Sequence, residues 1–413
     1  MEAFGAETNT AGPGSCGASV NRLGVFLAGR DRMSETQDVV IVGGGVIGLS
    51  IAYALARDGI TSTVLDRREL GREASWAGAG LIAPTSEHRS GSLHPTVELR
   101  SWSAELFPRW SAALREETDI DNGYRRSGGV DVAWTVAEEH ELQTTAGRWR
   151  VEGIVHERLA ASDCLRVEPA LNPELRLVYF LPDRAQVRNP WHLRALSAAA
   201  ARRGVRLKPW LAVDRLETRG DRVTAVRTSE GVFSCEWVIM AAGPWSGGLL
   251  GDIGVHAPTP PLKGQIVLLR HDRPLLLRIV EHGKKYLVPR GDGHVLIGAT
   301  EENAGFDTRP TSAAVRDLLN EALGLCPALG QAKVEAVWAG LRPGSIDTKP
   351  YIGVAPGFRN LIVATGHKRA GLQLSPATAE LVAALVLGQK PQLDLAHFRV
   401  DREPDPAADT IRS

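Results

Sequence analysis

Two clusters in this sequence combine residue types and spacings suited to chemistry. The first is Gly43, Gly45 and Gly48 in "VVIVGGGVIG", closed downstream by Asp66 at the end of "STVLD". A glycine turn between a strand and a helix lets a pyrophosphate approach backbone N–H groups and the positive end of the helix dipole. Gly43 makes the turn, Gly45 admits the phosphates and Gly48 lets helix and strand pack closely. An acid ending the second strand can hold ribose hydroxyls. The second cluster is "GHKRAG", Gly366 to Gly371, where His367, Lys368 and Arg369 stand between two glycines. Glycines permit close backbone approach, so this turn can bring positive charge to something bound.

The elements around these clusters follow from hydrophobic patterning. Val39 to Val42 reads as a short buried strand, a helix runs on through Ala56, Gly59 ends it, and "STVLD" is the next strand. The stretch Val39 to Ala56 carries no charge and approaches membrane-span length. Its three successive glycines predict strand, turn and helix instead, so no integral membrane segment is expected. "REASWAGAGLIAP" (72–84) and "CEWVIMAAGPWSG", which reaches Ala242, Gly243 and Trp245, are further stretches with little side chain. Several such turns suit a long, extended cofactor, and FAD fits that description better than NAD. "YLVPRGDGHVLIGAT" alternates about a Gly-Asp-Gly turn and predicts a hairpin. Arg290, Asp292 and His294 read there as strand-end and turn residues. "RVTAVRTSEGVFSCEWVIM" reads as strands joined at Glu230-Gly231.

Composition excludes several classes of function. The 413 residues suit two domains or one large α/β body, and an apolar content of 43% supports a sizeable core. Lys plus Arg (48) balances Asp plus Glu (48), which removes the footprint of a nucleic-acid binder. Cys16, Cys164, Cys235 and Cys326 form no CxxC, and the histidines have no metal-ligand spacing. No metal is expected, and a reduced, cytoplasmic setting is the simple reading. Met33 opens "MSETQDVVIVGGG" like a natural start, and residues 1–36 are expected to form a disordered extension.

Six ordered segments, "IVGGGVIG", "VIMAAGPWSG", "LKGQIV", "YLVPRGDGHVLIGATEE", "WAGLRPGSIDTKPYIG" and "VATGHKRAGLQLSPATAELVA", carry a resemblance over about residues 38–399. The chain resembles the FAD-dependent D-amino-acid oxidase-like family, and within it the bacterial glycine oxidases of the thiamine pathway. The resemblance implies an α/β fold. A Rossmann-like FAD domain would comprise 37–115, 180–255 and 335–395. An α+β substrate domain on a mixed, mainly antiparallel sheet would comprise 116–179 and 256–334, with 396–413 as a C-terminal tail.

The resemblance also implies roles. Arg342 corresponds to the arginine that binds the substrate carboxylate; by residue type alone, an arginine in an "LRPG" loop reads as a surface or ion-pair residue. Tyr286 would help hold the carboxylate, and Arg369 would stand beside substrate and flavin. Gly43, Gly45, Val46, Ile47, Gly48, Asp66 and Arg67 would meet adenosine and pyrophosphate. Ser75, Ala79, Gly80 and Leu81 would follow the ribityl chain and flavin. Trp210 to Val213 would lie at the adenine, and Ala242, Gly243 and Trp245 would line the cofactor. Gly366, His367, Arg369, Ala370, Gly371 and Leu372 would pass the flavin ring. The expected reaction is oxidation of a small amino acid, glycine foremost, with O₂ as acceptor. A D-amino-acid dehydrogenase, or an oxidoreductase of secondary amines such as sarcosine or proline, stays open, as does a homo-oligomer. Lys368, Glu301 and the polar stretch holding His88 and His94 depart from the family pattern and bear on specificity.

Overall fold

The run that opens the described chain folds as strand, turn and helix, as its glycines predict. These are β1 (Gln37–Val42) and α1 (Val46–Arg57). The structure, a computed structural model, describes residues 37–86 and 94–404. The expected N-terminal extension, His88 and residues 405–413 of the expected tail lie outside the described residues. Gly43 has φ +107°, and a Cβ there would come 2.6 Å from the carbonyl carbon of Ala241. A Cβ on Gly48 would overlap the carbonyl oxygen of Gly43, so α1 seats directly on its own turn. Among the described residues no helix is long and apolar enough to cross a membrane.

β1 lies inside a sheet ordered β17 (Tyr351–Val354), β18 (Leu361–Thr365), β11 (Gly231–Met240), β1, β2 (Ser62–Leu65) and β8 (Arg206–Lys208). β1 runs parallel to β11 and β2, and β11 parallel to β18. Both faces of these strands are covered, which is why they read as unbroken apolar runs rather than alternating ones. Val39 and Ile41 pack with α1, α3 (Pro95–Thr118), α6 (Asn189–Arg202) and α9 (Gly371–Val386). Val40 and Val42 face the other way, toward β9 (Val213–Arg219), β10 (Arg222–Thr228) and α7 (Ser246–Gly251). β10 and β11 form the hairpin expected at Glu230-Gly231.

A second sheet is ordered β16 (Lys333–Pro343), β12 (Pro261–Arg270), β15 (His294–Gly298), β14 (Lys285–Pro289), β13 (Ile279–His282), β4 (Gly129–Ala133), β6 (Leu177–Leu181) and β5 (Glu157–Arg158). It is antiparallel except between β13 and β4. This is the mixed, mainly antiparallel sheet expected. The expected boundaries at 180 and 335 fall inside β6 and β16, because both strands pair along their lengths within this sheet. One face packs on α8 (Ser312–Leu325), and α4 (Val136–Glu152) and α5 (Ala161–Val167) flank the β4–β6 side. The other face carries a row set by register. Asp131 pairs with Glu281, Glu281 with Tyr286, and Tyr286 with Gly298. Cross-strand partners point the same way, so these four positions share one face.

A short loop ties the two sheets together. α2 (Ala74–Ala77) leads to β3 (Leu81–Ile82), which pairs with β7 (Ala185–Gln186) in a separate ribbon. Trp338 on β16 donates its indole N–H to the Ala77 carbonyl (3.1 Å). Gly340, two residues on, leaves room for Ala77, whose Cβ would be 2.5 Å from any Cβ added there. The backbone of Arg290 closes the hairpin turn as expected, by a bond from its N–H to His294 O. Its side chain, however, is buried. It donates to Ala79 O (2.7 Å), Gln186 Oε1 (2.7 Å) and Val187 O (3.2 Å). Burial draws its pKa down to about 10. Replacing Arg290 by Met removes the fork and strands buried acceptors. A loss of about 2–4 kcal/mol in unfolding free energy follows, read by urea denaturation of the holoprotein. A loss under about 1 kcal/mol would contradict the clamp.

Candidate active site

A cavity of about 960 Å³ runs from the β1–α1 turn to the register row on the second sheet. At its first end Gly43, Gly45, Val46 and Ile47 present the N-terminus of α1. The Val46 N–H donates to Ser75 Oγ (2.9 Å). Asp66 stands beside them, its two oxygens accepting from the N–H groups of Gly44 (2.7 Å) and Arg68 (2.8 Å). Burial raises its pKa against those bonds. Arg67 lies 3.6 Å from the ring centroid of Trp245, which in turn stacks on Phe306. Val213, Ala242 and Gly243 complete this end.

The middle is walled by small residues. Ser75, Ala79, Gly80 and Leu81 line it. Gly80 has φ +75°, and a Cβ on it would overlap the Val187 carbonyl. Opposite, His367, Arg369, Ala370, Gly371 and Leu372 bring the start of α9 to the cavity. Pro376 cannot donate to the Leu372 carbonyl, and Ser375 Oγ takes its place at 2.8 Å. His367 is buried, contacts Thr378 Oγ1 (3.1 Å) and is held neutral, since burial lowers its pKa to about 3.

Three expected cofactor residues do not line the cavity. Gly48 packs on Gly43, and Gly366 packs on Tyr351 and Ser345. Trp210 is 69% exposed at φ +62°, because its backbone turns there to donate to Arg68 O (3.1 Å). Its neighbours Ala212 and Val213 line the wall instead. His94 caps α3, its Nδ1 accepting from the Thr96 N–H.

At the second end Arg342 and Tyr286 converge. Arg342 follows Trp338 and Gly340 on the cavity face of β16, opposite Leu262. Its guanidinium lies over Gly264, where a Cβ would stand 2.5 Å from Cζ. Its Nη1 donates to the Thr300 carbonyl (3.0 Å), and no described carboxylate pairs with it. Desolvation lowers its pKa, opposed by Tyr286. The Tyr286 ring crosses Gly298, where a Cβ would be 2.6 Å from the hydroxyl. Burial raises the Tyr286 pKa, and Arg342 and Arg369 oppose the shift. The phenol is therefore a neutral donor at physiological pH. A guanidinium beside a phenol, recessed in a cavity wall, has the donors that one carboxylate would accept from.

Arg369 also lines this end but is already engaged. Its Nε (2.8 Å) and Nη2 (2.5 Å) both bond one oxygen of Glu301. Lys368 sits at φ +49° with its N–H on Pro343 O (2.8 Å), tying the turn to β16. Gly264, Gly298 and the Arg290 clamp escaped the sequence reading. The signal for Gly264 was present: a glycine inside a strand pattern marks close approach by another group, and "LKGQIV" contains one.

The cofactor expected from the sequence fits these residues. The α1 N-terminus suits phosphates and Asp66 suits a ribose. Buried Gln373 Nε2 and His367 Nδ1, beside the start of α9, have no hydrogen-bond partner among the described residues. Such orphaned polar atoms along a cavity wall are what a polar ring system would satisfy.

Comparison with known proteins places the chain. Residues 38–385 match the family described as DAO, FAD dependent oxidoreductase. Glycine oxidase of Pseudomonas putida is 37% identical over 88% of this chain and 98% of its own length. Glycine oxidase of Pseudomonas aeruginosa is 38% identical over 89% and 98%. The crystal structure of glycine oxidase from Geobacillus kaustophilus superposes with a TM-score of 0.85 at 35% identity, covering 89% of this chain and 99% of that one. With the family model matched over residues 38–385 and the fold shared with a solved glycine oxidase, the chain belongs to the DAO family of FAD-dependent oxidoreductases.

Proposed function

We propose that this protein oxidises glycine to glyoxylate and ammonia with O₂ as acceptor. The carrying observation is the Arg342–Tyr286 pair, a site for a single carboxylate beside the start of α9. The comparisons support FAD-dependent amino-acid oxidation, and the named relatives make glycine the first substrate to test. The segments of the first sheet would hold the cofactor and those of the second the substrate.

FAD, when bound, supplies the acceptor for the hydride that leaves the α carbon. The chain's own task is orientation and electrostatics. Arg342 fixes the carboxylate through its planar fork, and Tyr286 donates a hydrogen bond to it. Ala299, which lines the cavity beside Tyr286, would bound the space left for the α carbon. The first turn of α9 directs its dipole to where negative charge grows. The amine reacts neutral and the resulting imine is hydrolysed by water, so no strongly basic residue is needed.

Anaerobic addition of glycine is expected to bleach the flavin absorbance, and air to return it with one H₂O₂ per glyoxylate. No bleaching at any glycine concentration contradicts the substrate, and bleaching without peroxide contradicts O₂ as acceptor. Gly264→Ala pushes the Arg342 fork aside while leaving every charge in place. It is expected to raise KM for the amino acid about tenfold or more, the scale of a lost charge-assisted hydrogen bond, with FAD content unchanged. An unchanged KM would remove Arg342 from carboxylate binding.

A further inference from the structure

We infer that Glu301 is a specificity-determining residue that confines the site to substrates with a single carboxylate, and that it does so by occupying Arg369. This rests on the carboxylate-binding reading of Arg342 above. Three cationic side chains, Arg342, Lys368 and Arg369, meet at the substrate end of the cavity. A substrate with one carboxylate needs one fork. Left unopposed, the second arginine would attract a second anionic group and hold it in bidentate fashion.

The geometry answers that surplus with an internal acid. The Glu301 carboxylate takes two hydrogen bonds from Arg369 on one oxygen, at 2.8 and 2.5 Å. Arg342 donates to the carbonyl of Thr300, the residue just before Glu301, so the free and the occupied guanidinium flank one short segment. The segment is itself pinned. Glu302 exchanges backbone bonds with Lys263 at 2.9 and 3.0 Å, and its carboxylate accepts from Gln265 Nε2 at 2.7 Å. The backbone that carries Glu301 is therefore fixed, and its carboxylate is held by Arg369. Burial works against its ionisation, but Arg369, Lys368 and Arg342 outweigh that and hold it below the ordinary carboxylate range. It stays charged wherever the enzyme works. To engage Arg369, a second substrate carboxylate must displace Glu301 and leave a carboxylate partly desolvated without its partner, an unfavourable exchange.

The role is one of subtraction, invisible in a search for residues that touch substrate. Its prediction is a gain of binding. With the oxidised holoenzyme, acetate and malonate are titrated and followed by flavin difference spectra, which needs no turnover. Wild type is expected to bind malonate no better than acetate. Glu301→Gln frees Arg369 and is expected to tighten malonate about tenfold or more while changing acetate less than threefold. It should also raise kcat/KM for iminodiacetate relative to glycine. Glu301→Gln combined with Arg369→Gln is expected to abolish both gains, since the effect passes through Arg369. An unchanged malonate-to-acetate ratio in Glu301→Gln overturns the inference, as does a gain that persists in the double variant. If glycine proves not to be the substrate, the carboxylate titrations still decide the role of Glu301. If neither anion perturbs the flavin, the carboxylate site itself fails, and Glu301 with it.

Discussion

The site depends on a guanidinium that the protein leaves without an acid. Arg342 is set in the cavity wall where desolvation disfavours its charge, yet among the described residues it hydrogen-bonds only the Thr300 carbonyl and the Tyr286 hydroxyl, and Glu301 acts on it from a distance without pairing. A charge held so is costly to the fold and is stabilised when a carboxylate arrives. Arg369, on the turn before α9, is by contrast paired to Glu301, while no described carboxylate pairs with Arg342. Under the proposed function, substrate recognition turns on which cation is paired internally and which is not.

Space for that arrangement comes from glycines on flat sheet. Gly264 lies under the Arg342 fork and Gly298 under the Tyr286 ring, while Gly340 lets α2 approach β16. None of the three has positive φ, so their role is the absence of a side chain rather than backbone freedom. The same sheet holds the small-residue loop by its carbonyls, Ala77 through Trp338 and Ala79 through Arg290. One rigid face therefore positions both the carboxylate anchor and the wall along which the cofactor is to lie. Under the proposed function, that coupling would orient the α carbon against the cofactor.

Much of this was legible in the sequence, and the limits have physical reasons. The β1–α1 turn and Asp66 were readable because a helix N-terminus that binds phosphate needs glycines at fixed offsets, and those offsets are local. The hairpin about Gly291-Asp292-Gly293 was local too. Arg342, Tyr286 and Arg369 came from the ordered segments rather than from residue type, since an arginine in a turn has no periodicity that marks it as a ligand. What escaped was non-local. Arg290 looks like a strand-end residue until Ala79, more than two hundred positions earlier, is brought to its fork. Glu301 was noticed as an acid near the pocket, but its partner 68 positions away in the chain fixes its meaning. Trp210 failed because a backbone in the left-handed region turned the ring out to solvent.

We propose that the unpaired Arg342, and not Arg369, anchors the substrate carboxylate. A crystal structure of the FAD-loaded protein soaked with glycolate, a carboxylate lacking the reactive amine, tests it most directly. The expected result is both carboxylate oxygens within hydrogen-bond distance of Arg342 or the Tyr286 hydroxyl, with the Glu301–Arg369 pair intact. A carboxylate seated on Arg369 with Glu301 displaced, or a fully ordered ligand that leaves Arg342 untouched, would contradict it.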